Sequence, residues 1–153
     1  MKKERGFTLI EVIIAVALLG IIAIAFLGGL ATASRAIFIA DERATAESLA
    51  RTEMEYVKNC DYETYDPGDL PLYTKDGEGS STHPDYFIWV DAFPIDPDTG
   101  ELLINPDTGD FLINPDTGEP YEDKDIQKII VTVKHGTQAV KEVITLEDYK
   151  VNR

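Results

Sequence analysis

A single carboxylate, Glu11, interrupts a stretch from Phe7 to Ser34 that is otherwise free of charge. An isolated carboxylate in hydrocarbon costs about 2.5–3.5 kcal/mol on insertion scales. A chain that keeps one there needs a positive partner at the same depth, which marks Glu11 as a candidate for assembly rather than catalysis. Immediately ahead lie the basic residues Lys2, Lys3 and Arg5, then Gly6 and Phe7. A second group that could do chemistry is Asp96, Asp98 and Asp107, in Asp96-x-Asp98-x-Gly100 and the next copy of the same turn. Hard cations take several carboxylate and carbonyl oxygens, and this spacing has part of a calcium loop. No copy carries the closing Glu of a full loop. Calcium at these residues therefore competes with a plainer reading, a solvated acidic outer face.

Little else in the chain could act on a substrate. His83 and His135 lie in segments that read as turns, and neither has metal-ligand spacing with Cys60, the only cysteine. No G-x-S-x-G, P-loop or dinucleotide fingerprint is present. The expectation is a protein that is not an enzyme and needs no cofactor, calcium aside. Asp61 to Asp123 carries 17 acidic residues and one basic one, Lys75, which is most of the net charge of −14. Such a surface repels phosphates and excludes nucleic acid as a partner.

The element that must carry Glu11 is a membrane helix. A bilayer core is crossed by roughly 20 apolar residues, and Val12 to Ala33 supplies that length, mostly Leu, Ile, Ala and Val. Gly20, Gly28 and Gly29 are tolerated in such helices and let neighbours approach closely. Lys2, Lys3 and Arg5 precede the apolar run and Arg35 follows it, so the positive-inside rule puts the N-terminus in the cytoplasm and the remainder outside. A secretory signal peptide, cut after Ala31-Thr32-Ala33, and a plain single-pass anchor are the competing explanations. The apolar run exceeds an ordinary signal core, and neither alternative accounts for Glu11 or for Gly6-Phe7.

No proline or glycine occurs from Thr32 to Asn59, and the composition favours helix. Ala46, Leu49, Ala50, Met54, Val57 and Cys60 fall near one face at helical spacing, while Glu47 and Arg51 stand four apart in the favourable order. One helix from about residue 7 to about residue 59 is expected, with a transmembrane segment of about 7–33. Its second half should bury one stripe under a small domain, residues 60–153.

That domain begins with turn-forming sequence, Tyr65-Asp66-Pro67-Gly68, and a second loop is expected from Lys75 to Pro84. Tyr86 to Val90, Lys128 to Lys134 and Ala139 to Leu146 read as strands, the last two joined by His135-Gly136-Thr137-Gln138 as a hairpin. Ile129, Val131 and Val133 share one face. Val140, Ile144 and Leu146 share another, with Glu142 breaking the stripe. Between the strands lies a repeat of period nine over 97–119: Pro97-Asp98-Thr99-Gly100, Pro106-Asp107-Thr108-Gly109 and Pro115-Asp116-Thr117-Gly118. Proline presets φ, Asp bonds its own backbone, and glycine accepts positive φ. The triplets Leu102-Leu103-Ile104 and Phe111-Leu112-Ile113 read as very short strands, stacking as ribbons or a meander, with at least one side chain of each covered. The fold class is α+β, a long N-terminal helix packed on a small antiparallel sheet.

Gly6-Phe7-Thr8-Leu9-Ile10-Glu11-Val12, behind a short basic leader, resembles the N-terminus of type IV prepilins and type II secretion pseudopilins. The resemblance implies a leader of residues 1–6, cleavage by prepilin peptidase between Gly6 and Phe7, and methylation of the new amine on Phe7. That amine would be the positive partner of Glu11, within one subunit or between neighbours. It further implies a pilin-like fold and, as partners, other pilin or pseudopilin subunits and an inner-membrane assembly platform. The expected location is the inner membrane, with the C-terminal domain outside, and then an extracellular or periplasmic filament. Ala46 to Glu55 is similar to the same region of minor pilins and I-type minor pseudopilins, and Thr145 to Asn152 looks like the closing strand of a pilin sheet. A membrane-anchored surface-binding module remains a third reading. With Cys60 alone, this chain departs from the many pilins that staple their C-terminal region with a disulfide.

Overall fold

The computed structural model describes residues 8–136 and 141–153, and its elements run in the order α1 (Leu9–Asn59), β1 (Lys75–Gly79), β2 (Tyr86–Pro94), β3 (Ile126–His135) and β4 (Lys141–Val151). The chain divides into two units, Met1–Asp41 and Glu42–Arg153. The first is helical from Leu9 onward and apolar on all sides from Val12 to Ala33. Leu9, Ile24 and Phe26 are as exposed as residues on other sides of the helix, because nothing within this unit covers them. It is long and apolar enough to cross a membrane.

The second unit packs the end of α1 on a four-stranded antiparallel sheet of order β1-β2-β3-β4. Ala46, Ala50, Met54 and Val57 are its buried helical residues, and Leu49 and Cys60 pack at their margin. Ala46 and Ala50 share one buried cluster with Tyr86, Ile88 and Val90 of β2. Alternation selects the inner face: Ile88, Val90 and Ala92 on β2 stand in register with Val133, Val131 and Ile129 on β3, and Ile144 and Leu146 on β4 continue the rows. The register shifts between Val133 and Lys134, where Glu142 becomes the partner of Lys134 and Val143 has no opposite residue. This bulge explains why Glu142 breaks the apolar alternation: one extra residue turns the strand by half a period. Val140 and the expected hairpin residues Thr137 and Gln138 lie outside the described residues.

Two expectations are corrected. The segment from Lys75 to Pro84 is not all loop, since Lys75–Gly79 forms β1 despite the sequence Lys-Asp-Gly-Glu-Gly. Gly77 adopts φ 72°, and a β-carbon there would sit 2.6 Å from Trp89 Cζ2, so the indole of β2 lies directly on the glycine backbone. Lys75 anchors the strand's start through Glu53 of α1 at 3.0 Å. His135, expected in a turn, ends β3. β2 also runs on to Pro94 and β4 to Val151, beyond the expected ends.

The repeat forms a stack of three turns. Each opens with an Asx side chain that accepts from the backbone two residues on: Asp98 N to Asp96 Oδ1 at 2.8 Å, Asp107 N to Asn105 Oδ1 at 2.9 Å, Asp116 N to Asn114 Oδ1 at 2.9 Å. Gly100, Gly109 and Gly118 close the turns at φ 73°, 75° and 74°. Successive turns are joined by backbone bonds nine residues apart, Leu103 N to Pro94 O, Leu112 N to Leu103 O and Tyr121 N to Leu112 O, at 2.9, 2.9 and 2.8 Å. The expected short strands are thus single bridges, Ile95 with Leu102, Ile104 with Phe111 and Ile113 with Pro120. Leu103 and Ile104 of the first triplet are buried. In the second only Phe111 is half-buried, edge-on to Tyr65 at 5.7 Å, and Leu112 and Ile113 are exposed.

Candidate functional site

Gly6 and Phe7, the expected processing residues, lie outside the described residues, so the site is built from Thr8 onward. Thr8 is the N-cap of α1. Its Oγ1 accepts from Glu11 N at 3.4 Å, and its carbonyl accepts from Glu11 N and Val12 N at 3.1 and 3.3 Å. Thr8-x-x-Glu11 has the sequence of a capping box, in which the N-cap hydroxyl takes the third helical amide and the third residue is Glu or Gln. The Glu11 carboxylate therefore stands in the first turn, where the aligned peptide dipoles are positive. A reading of Glu11 as a buried charge alone missed this second role, although the Thr-x-x-Glu spacing signals it. Both roles call for the same sign of charge, because the first turn of a helix is the positive end of its dipole.

Asp96, Asp98 and Asp107 are placed by the turn stack and are not brought together. Asp96 uses Oδ1 on the amides of Asp98 and Thr99 and pairs through Oδ2 with Lys124. Its carboxyl is held below the usual range, first by the Lys124 hydrogen bond and then by the Asp98 amide. Asp98 and Asp107 point from exposed turns. Among the described residues no group of three or more His, Cys, Asp or Glu is arranged to hold a metal ion.

Polar groups that sequence reasoning passed over hold this domain closed. Asp123 accepts from Tyr62 Oη at 2.5 Å, Tyr65 N at 2.9 Å, Gln127 Nε2 at 2.7 Å and Asp125 N at 3.0 Å. Burial and the Asp123 carboxylate push the Tyr62 phenol upward. Gln127, fully buried, also donates to Glu63 O at 2.9 Å and accepts from Tyr73, whose phenol burial pushes up to about 12. Lys150 donates to the carbonyls of Val57 and Cys60, each at 2.6 Å, and so caps the end of α1. Extending the alternation of Ile129, Val131 and Val133 back one step reaches Gln127. Extending that of Ile144 and Leu146 forward reaches Lys150. A polar residue at an inward position was the available signal. Asn152 donates from N and Nδ2 to Asp125, at 2.9 and 2.8 Å, and ties the last strand to the start of β3 where a disulfide is absent.

At the other end of the sheet, Glu42 of α1 accepts from Lys141 Nζ at 2.8 Å and faces His135 Nδ1 at 2.9 Å. The Lys141 hydrogen bond, and then that of His135, hold its carboxyl below the usual range against the opposing effect of burial. His135 stacks on Tyr86 at 4.5 Å, and His83 meets the same ring edge-on at 6.0 Å. Two histidines distant in sequence thus meet on one tyrosine, as supports of the helix–sheet joint.

Residues 1–27 match the family model of the prokaryotic N-terminal methylation motif. No curated protein and no solved structure matches the chain. The motif is the type IV prepilin and pseudopilin signal. It points to a structural protein, processed by prepilin peptidase and assembled with other pilin-type subunits. With the apolar helix, it is consistent with a single-pass, membrane-anchored protein. The α+β architecture, a long apolar N-terminal helix with a four-stranded antiparallel sheet, is pilin-like.

Proposed function

We propose that this chain is a structural subunit of a type IV pilus-like filament, cut between Gly6 and Phe7 and assembled through its N-terminal helix. One observation carries the reading: Gly6, Phe7 and Glu11 stand at motif spacing inside the matched residues 1–27, at the start of a 51-residue helix whose first turn holds Glu11. Cleavage would place a methylated amine on Phe7 close to Glu11, at the helix end where the dipole also favours the carboxylate. The leader stays in the cytoplasm, the second unit lies outside the inner membrane, and the assembly platform and neighbouring subunits are the partners. The similarity of Ala46 to Glu55 to I-type minor pseudopilins favours a second reading, a minor pseudopilin of a type II secretion system. Both share processing and fold.

Intact mass of the mature chain tests the proposal. The expected species lacks Met1 to Gly6 and carries one methyl group on Phe7. A mature chain beginning at Ser34 would instead establish a signal peptide, and retention of residues 1–6 would establish an anchored surface module.

A further inference from the structure

The sheet ends in two edges that differ in how they meet further strands. β1 is one edge, five residues long. Its register shifts between Lys75 and Glu78, where Gly77 stands at φ 72°. A short, bulged strand is a poor template for another strand.

β4 is the other edge and has neither protection. It runs for 11 residues, and its register with β3 is unbroken from Ile144 to Val151. Alternate residues of a strand direct their backbone N–H and C=O groups to opposite sides. Asn152 N donates to Asp125 O, on the β3 side. Lys150, Asp148, Leu146 and Ile144 therefore turn to β3 as well, and Thr145, Glu147, Tyr149 and Val151 turn to the open edge. Among the described residues no strand covers that edge. Its side chains do little to discourage pairing. Tyr149 and Val151 are 56% and 49% exposed. Glu147, the only charge among these four residues, is already paired with Lys128 at 2.8 Å. Long edges with exposed apolar side chains recruit strands from other copies.

One donor in the middle of this edge is occupied. Tyr149 N donates to Asp148 Oδ1 at 2.8 Å, while Asp148 Oδ2 pairs with Lys58 of α1. The Lys58 hydrogen bond, and then the Tyr149 amide, hold the Asp148 carboxyl below the usual range. A symmetric pairing of two β4 edges centred on Asp148 sets Tyr149 opposite Glu147 of the second copy and needs the Tyr149 amide in both. With Asp148 in place, an incoming carbonyl meets a carboxylate oxygen where it requires a donor.

We propose that Asp148 guards the open edge of β4: its carboxylate, aimed by Lys58, holds the Tyr149 amide and bars strand addition by a second copy of this chain. The guard stands apart from the filament reading, since it acts whenever two outer domains meet, processed or not.

Residue-resolved amide exchange of the full chain in detergent tests this, at two protein concentrations and corrected for intrinsic rates. In the parent chain the Tyr149 amide should exchange on the order of tenfold more slowly than those of Glu147 and Val151, the protection that a bond to a charged acceptor gives. Concentration should not change this pattern. In Asp148→Ala the protection should vanish in dilute protein. In concentrated protein Thr145, Glu147, Tyr149 and Val151 should become protected together as edges pair. Asp148→Asn keeps a side-chain acceptor and should behave as the parent does. Asp148→Val supplies a β-branched residue suited to a strand and should repeat the alanine result if alanine itself unfolds the sheet. A parent Tyr149 amide as fast as those of Glu147 and Val151, or a parent edge that pairs on concentration, would overturn the proposal. So would a folded alanine or valine variant that gains no protection with concentration. Loss of the fold in both variants would make Asp148 a prop of the sheet and overturn the guard as well.

Discussion

Lys150 Nζ lies 2.6 Å from the carbonyl oxygen of Val57, which stands near the end of helix α1 and 93 residues before the lysine. The last carbonyls of a helix have no partner within it, and a cation there also meets the negative end of the dipole. Lys150 is 6% exposed and takes two such carbonyls, with its ammonium 5.1 Å from the Tyr73 ring centre. The final strand is thereby fastened to the helix that precedes the whole sheet. Lys150→Met keeps the stem and removes the donor. Leaving buried carbonyls unsatisfied costs about 1–3 kcal/mol each, so the variant should lose on the order of 2–4 kcal/mol in denaturant unfolding of the full chain in detergent. A loss under about 0.5 kcal/mol would show that water replaces the ammonium.

Gly77 and Gly118 have nearly the same positive φ, 72° and 74°, but only Gly77 has a neighbour, the Trp89 indole, within 4 Å of its missing β-carbon. Gly118→Ala should cost only the backbone penalty, about 1–2 kcal/mol. Gly77→Ala should cost more and displace the indole. Trp89 is the sole tryptophan, so its emission reports the displacement directly. Equal stability losses with unchanged emission in both variants would mean that the strand edge simply shifts.

Acid should weaken the helix–sheet joint at Glu42. Its folded pKa lies below the ordinary 4.5, so its stabilising effect is present above that value and is lost as the pH falls through the lowered one. Thermal melts across the acid range should show a shallower loss for Glu42→Gln than for the parent, from a lower starting stability. An identical acid slope in the two proteins would remove Glu42 from the account.

Glu11→Gln separates charge from cap. Gln serves the third position of a capping box as Glu does, so helix α1 and membrane insertion should be retained while incorporation into filaments falls. Normal incorporation beside the parent chain would refute a role for the charge.

The turn stack should be visible in amide exchange as a period of nine. Leu103, Leu112 and Tyr121, whose amides join successive turns, should exchange more slowly than the exposed Asp98, Asp107 and Asp116. Because Asp96 is already engaged by Lys124 and two amides, calcium should stabilise the chain no more than magnesium at equal ionic strength. A saturable calcium-specific response would restore Asp96, Asp98 and Asp107 as ligands.

The amino-acid sequence determined the features that depend on local physics. The length and apolarity of the first helix, the methylation motif around Gly6, Phe7 and Glu11, the stripe from Ala46 to Val57 and the three Pro-Asp-Thr-Gly turns all follow from periodicity or turn chemistry within a few residues. Tertiary structure decided what distant partners had to supply. β1 is a strand because Trp89 covers Gly77 and Glu53 holds Lys75, neither of which its own five residues reveal. Asp96 became a structural carboxylate because Lys124 reaches it. Gln127 and Lys150 entered the core because the helix end and the Asp123 loop offered hydrogen bonds there, which burial without partners would have forbidden.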